Sequence, residues 1–159
     1  MSGKHIAELN VARLLYDIND PRVSDFVGNL DRVNAAAERS PGFVWRLKEE
    51  AGDYTAVVDG DPSVIPNLSV WESVGTLENF VFKTVHKRIY ERRADWFEVM
   101  EKMHFVMWQV DIGHRPTLAE AWGRLEHLNR HGSSDHAFGW DHVADANLWR
   151  SARCENPAA

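Results

Sequence analysis

The apolar positions of this chain fall into short alternating runs separated by stretches of helical spacing. His5–Arg13 alternates, with Ala7, Leu9 and Val11 on one face and Ile6, Glu8, Asn10 and Ala12 on the other, as a strand requires. Asp20-Pro21 supplies a capping carboxylate and a proline at the first helical position. Phe26, Val27, Leu30, Val33 and Ala37 then keep helical spacing to Ser40, where Pro41-Gly42 stops it. Phe43–Leu47 reads as a second strand, with Phe43, Trp45 and Leu47 on one face. Asn67–Glu72 reads as a third, placing Asn67, Ser69 and Trp71 opposite Leu68 and Val70. Ser73 caps a helix expected to continue unbroken to about Glu101. That helix carries an apolar stripe, Leu77, Val81, Val85 and Ile89, beside a mixed one, His86, Tyr90, Arg93 and Phe97. Met103–Asp111 is the fourth strand, in which His104, Val106, Trp108 and Val110 alternate with Phe105, Met107 and Gln109. Thr117 and Glu120 form a capping box for a last helix with Leu118, Trp122, Leu125 and Leu128 buried, ended by Gly132.

The order strand, helix, strand, strand, helix, strand, added helix predicts an α+β fold: a ferredoxin-like βαββαβ unit with an antiparallel sheet and helices on one face. The other sheet face is expected to carry Asn10, Trp45, Ser69, Trp71, His104 and Trp108, which is too aromatic to leave in water. Two copies packed sheet to sheet about a two-fold axis would hide it, giving a homodimeric α/β barrel. Residues 1–132 form the domain. Residues 133–159 form a partly ordered extension in which Phe138, Trp140, Val143, Leu148 and Trp149 pack, across a partner subunit in one arrangement. Residues 49–66 are acidic and turn-rich, with room for a short strand at Thr55–Val58, and read as a solvated loop or lid rather than a metal site.

Length and composition narrow the function classes. The 159 residues suit one domain, and seven tryptophans are enough to line a pocket or an interface as well as a core. A net charge of −6 with no long Lys/Arg run argues against nucleic acid. The single Cys154 supports no intramolecular disulfide, and neither a signal core nor an 18-residue apolar run is present. A cytoplasmic protein with no membrane partner is expected. There is no Gly-rich phosphate loop, nucleophile elbow or His-Glu-x-x-His. His127 and His131 stand four apart, but no close acidic or cysteine ligand completes a site, so no metal is expected.

The segment from Val70-Trp71-Glu72-Ser73 to Val81–Lys87 resembles the strand-to-helix segment of the dimeric α+β barrel superfamily. That group includes the antibiotic-biosynthesis monooxygenases and the small haem-degrading monooxygenases. With His5–Asn10, Pro41–Arg46, Asn67–Ser73, Arg92–Phe97, Met103-His104 and Gly113–Ala121, the pattern resembles an uncharacterised bacterial domain-of-unknown-function family within it, over roughly residues 5–132. The haem-degrading branch implies an Asn on the first strand, matched by Asn10, and a haem-binding helical His, matched by His86. Its tryptophan is Phe80 here, which argues against haem degradation. The cofactor-independent branch implies an apolar pocket for an electron-rich aromatic or polyketide substrate.

On this basis His86, Tyr90, Arg93, Asn10 and His104 are the catalytic candidates. His86 would serve as base, hydrogen-bond partner or axial haem ligand, and Arg93 would hold a carboxylate or enolate oxygen. Glu8 shares Asn10's face and becomes a candidate base if buried. Trp71, Trp108, Phe80, Trp45, Ser69 and Phe97 are the candidates for lining a pocket, while His114 reads as stabilising its turn. Three functions are open: a small-molecule enzyme without a cofactor, performing oxygenation, cyclisation or isomerisation; a haem protein with His86 as ligand; and a non-catalytic dimer that binds a small ligand.

Overall fold

A computed structural model describes residues 3–17, 19–48, 64–98 and 104–143, without the side chains of Val85, Ile89 and Tyr90. The expected strand at Thr55–Val58, the acidic loop over 49–63, the Tyr90 side chain and Cys154 lie outside the described residues. The elements are β1 (Lys4–Arg13), α1 (Ser24–Arg39), β2 (Phe43–Arg46), β3 (Val64–Trp71), α2 (Val74–Lys83), α3 (Val85–Glu91), α4 (Arg93–Trp96), β4 (Phe105–Asp111) and α5 (Leu118–His131). The four strands form one antiparallel sheet in the order β2-β3-β1-β4, the ferredoxin-like arrangement. Pro66 sits in β3 beyond the last β2 pair, where among the described residues β3 pairs with β1 alone and a residue without an N–H is tolerated.

The register of β1 sorts the side chains. Ala7 faces Val70 on one side and Trp108 on the other, while Glu8 faces Ser69 and Met107. The Ala7 face therefore carries Leu9, Val11, Leu68, Val70, Val106 and Trp108, packed on Leu118, Ala121, Leu125 and Leu128 of α5. The Glu8 face carries Ile6, Trp71 and Met107 under Ala37 of α1 and Leu77, Phe80 and Val81 of α2. This corrects the grouping expected from alternation alone. Trp108 lies on the opposite face from Asn10, Ser69 and Trp71, and so does Trp45. Trp45 and Phe43 were expected to share a face, but a register shift between them turns Phe43 toward Trp71 and Trp45 toward Val70, as a bulge does. The Ala7 face is covered by α5 of the same chain.

The expected long helix is three helices. Thr84 is extended, and its hydroxyl donates to the Phe80 carbonyl at 2.6 Å. A side-chain hydroxyl bonding back to the preceding turn competes with the helical ladder, and β-branched Thr84-Val85 adds crowding. Gly42 turns the chain from α1 into β2 at φ +83, where a Cβ would meet the Thr76 side chain at 2.4 Å. Thr76 and Ser73 cap each other at the start of α2, so this glycine lets α1 and α2 close over the same sheet face. Past α5, the chain returns to its own sheet. The backbones of Phe138 and Met107 exchange hydrogen bonds of 2.7 and 2.9 Å, and Trp140 stacks on Phe105 at 5.2 Å. No helix among the described residues is long and apolar enough to cross a membrane.

Trp108 is fully buried, and its indole N–H points to Glu120 of α5. Trp108→Ala is expected to cost about 3–5 kcal/mol in urea unfolding. Ile112→Ser, at an exposed position, should change stability by less than about 0.5 kcal/mol.

Candidate functional site

Glu8 sits at the middle of the central strand, 5% exposed. The Ser69 hydroxyl donates to its Oε1 at 2.6 Å and accepts the Trp71 indole N–H at 2.9 Å. The pairing of Glu8 with Ser69 across β1 and β3 makes this possible. Burial disfavours the carboxylate more than the Ser69 bond supports it, so the Glu8 pKa is pushed up from the ordinary 4.5 to about 8. Glu8 is protonated at neutral pH.

From Trp71 the line continues through aromatic rings. Trp71 stacks on Phe80 at 5.2 Å, and Phe80 meets the His86 ring at 5.1 Å. The break at Thr84 sets His86 there, since the Thr84 hydroxyl accepts the His86 backbone N–H at 3.3 Å. The imidazole Nδ1 lies 3.3 Å from the Val81 carbonyl. Burial holds the His86 pKa below its ordinary 6.5, opposed by the Val81 bond. His86 is half-buried, with its ring unprotonated at neutral pH. Glu8, Ser69, Trp71, Phe80 and His86 thus make one continuous row from the sheet centre to the α2–α3 junction.

Asn10 shares the Glu8 face and pairs with Asn67 and Phe105. The remaining candidates lie elsewhere. Trp45 and Trp108 belong to the α5 side of the sheet. Phe97 meets Phe26 at 4.8 Å in a separate cluster with Leu14, Val23 and Trp96. His104 is exposed just before β4, and its imidazole is held below its ordinary pKa by partial burial and then by Arg93. His114 bonds Glu120 at 2.8 Å, so the capping-box carboxylate serves this turn and Trp108.

Alternation pointed to Glu8 only conditionally, since a strand face shows parity and not depth. Glu78, also buried, was missed; its Oε2 has no hydrogen-bond partner among the described residues. Its position two turns from the mixed stripe gave no signal.

A haem ligated by His86 would use Nε2, since Nδ1 faces the Val81 carbonyl. A macrocycle also needs an apolar slot. The cleft beside His86 is instead lined by Arg32, Lys83, Lys87 and Arg88 with Phe82 and Thr84. These residues do not fit haem. His127 lies 4.6 Å from His131 and 4.5 Å from His136, ring to ring. The Arg124 guanidinium donates to His136 at 2.8 Å, which occupies the lone pair a metal would need, and among the described residues no group of three ligating side chains suits a metal.

A family model described as a domain of unknown function, DUF3291, matches residues 5–154. No curated protein matches the sequence. Among solved structures, the chain is similar to the NE2512 protein of unknown function from Nitrosomonas europaea, at 9% identity and a TM-score of 0.45, over 74% of this chain and 97% of that one. It is also similar to SnoaB, a cofactor-independent oxygenase from Streptomyces nogalater, at 14% identity and a TM-score of 0.44, over 74% of this chain and 100% of that one.

The raised Glu8 pKa has a measurable sign. Between pH 4.5 and about 8 the unfolded chain ionises at this residue while the folded chain does not. The stability Glu8 contributes is therefore full below 4.5 and lost as the pH rises through about 8. The depressed His86 works the other way, losing stability as the pH falls below its ordinary value. Glu8→Gln should selectively remove the decline toward pH 8. Melting temperatures of the two proteins across this range would show it, and parallel curves would contradict the assignment.

Proposed function

The chain belongs to the DUF3291 family, and from its own residues we propose that it is a small-molecule enzyme working by acid–base chemistry without a resident cofactor. The observation that carries this reading is a pair of titratable groups at the ends of one row, pushed in opposite directions. Glu8 keeps its proton and His86 has lost its own at the same neutral pH. Those are the two states that general acid–base catalysis uses, and environments that drive two groups apart in pKa commonly mark them.

In this reading His86 is the base. With Nδ1–H directed at the Val81 carbonyl, the lone pair lies on Nε2. The substrate is a small aromatic or polyketide-like molecule with an acidic O–H or a C–H beside a carbonyl, not a ligand as large and uniformly apolar as haem. Removing that proton gives an enolate, which rearranges, cyclises or reacts with dioxygen. A substrate that spans the row takes a proton from Glu8 at its other end, solvent carries the proton from His86 back to Glu8, and Asn10 on the Glu8 face orients a carbonyl. Ser69, Trp71 and Phe80 fix the distance between the two groups. The aromatic side chains keep water from the row, which strengthens every polar interaction within it.

Turnover of a panel of polycyclic phenols and β-dicarbonyl compounds, followed by mass and by oxygen uptake, tests this. The expected kcat/KM profile rises with pH through a value below 6.5 and falls again near pH 8. Glu8→Gln should abolish the alkaline limb. His86→Ala should lower the rate by about a hundredfold. Full activity in both variants would overturn the proposal.

A further inference from the structure

One cleft of about 750 Å³ opens between α1 and the α2–α3 junction, lined by Arg32, Phe82, Lys83, Thr84, Lys87 and Arg88. Four of these six side chains are cationic, in a chain whose net charge is −6. They come from separate elements, Arg32 from α1 and the others from α2 and α3, so the cluster is made by packing and not by one basic helix face. Among the described residues these four cations make a single ion pair, Lys87 with Glu91 at 3.6 Å, and both partners are substantially exposed. Like charges gathered at one concavity repel, and an anion at its centre turns that repulsion into attraction. The Thr84 hydroxyl is already committed to the Phe80 carbonyl and the His86 N–H, which leaves the cations as the recognising groups.

We propose that this cleft binds a small phosphorylated molecule, with the phosphate held by Arg32, Lys83, Lys87 and Arg88. The volume lies within the range of about 300–1,000 Å³ typical of small-molecule pockets. Two guanidinium forks and two ammonium groups suit a compact dianion with several acceptor oxygens better than a single carboxylate. Binding here needs no turnover and does not depend on Glu8 or His86, so this proposal and the acid–base reading stand or fall separately.

Isothermal titration of the full chain with inorganic phosphate, pyrophosphate and naphthyl phosphate tests the site. The expected result is saturable one-to-one binding, weakened by about tenfold or more in each of Arg32→Glu, Lys83→Glu and Arg88→Glu. Arg130→Glu makes the same charge change on α5, across the sheet, and should bind as the unaltered chain does. All four positions are exposed, and circular dichroism checks each fold; Arg88→Gln replaces any reversal that unfolds. Three results would overturn the proposal: no saturable binding of any of the probes, equal weakening by Arg130→Glu, or binding to anionic lipid vesicles with none to the soluble phosphates.

Discussion

A carboxyl group at the middle of a central strand, with helices over it and a packed layer behind it, constrains much of this molecule. Glu8 cannot be charged there cheaply, because an unpaired carboxylate in an apolar interior costs several kcal/mol or more. It stays neutral and takes a hydrogen bond from Ser69, which takes one from Trp71. The three residues are held by one register between β1 and β3. A slip of one residue would turn every side chain of β1 to the wrong face, moving Glu8 into the wholly apolar layer under α5. Polar and apolar requirements therefore select the same pairing.

The two sheet faces divide the work. The Ala7 face meets α5 through aliphatic side chains and Trp108, in line with its strand and helix patterns. The Glu8 face departs from simple patterning, with a carboxyl, a hydroxyl and an indole N–H among its aromatic rings. Natural sequences accept such departures mainly where something besides stability is served. The row from Glu8 to His86 is the largest departure among the described residues. It ends beside the cationic cleft, which shares Thr84 with the helix break that positions the imidazole.

Much of this was legible in the sequence. Alternation located the four strands, capping residues marked the starts of α2 and α5, and element order gave the ferredoxin-like sheet. What alternation could not give was which faces of different strands coincide. That is a property of register, and it sets Trp108 opposite Asn10 and Trp71 although alternation within each strand allows them one face. Trp45 was misplaced for a second reason, the register shift after Phe43, since one extra residue reverses parity for everything beyond it. The break at Thr84 was hidden because apolar spacing continues across it. Only the competition between a threonine hydroxyl and the helical ladder marks the site. The cationic cleft was invisible for a similar reason: Arg32 and the junction residues meet only after α1 and α2 have packed.

The return of residues 133–143 along β4 bears on how the protein is made. Until Phe138 pairs with Met107, β4 is an open sheet edge, a template on which other chains can add. A ribosome working at about 5–20 residues per second completes β1, β3 and β4 well before the covering segment clears the exit tunnel. For seconds during each round of synthesis the nascent sheet is nearly complete but unsealed. In that interval the β4 edge is open to other chains, and the pairing of Phe138 with Met107 closes it.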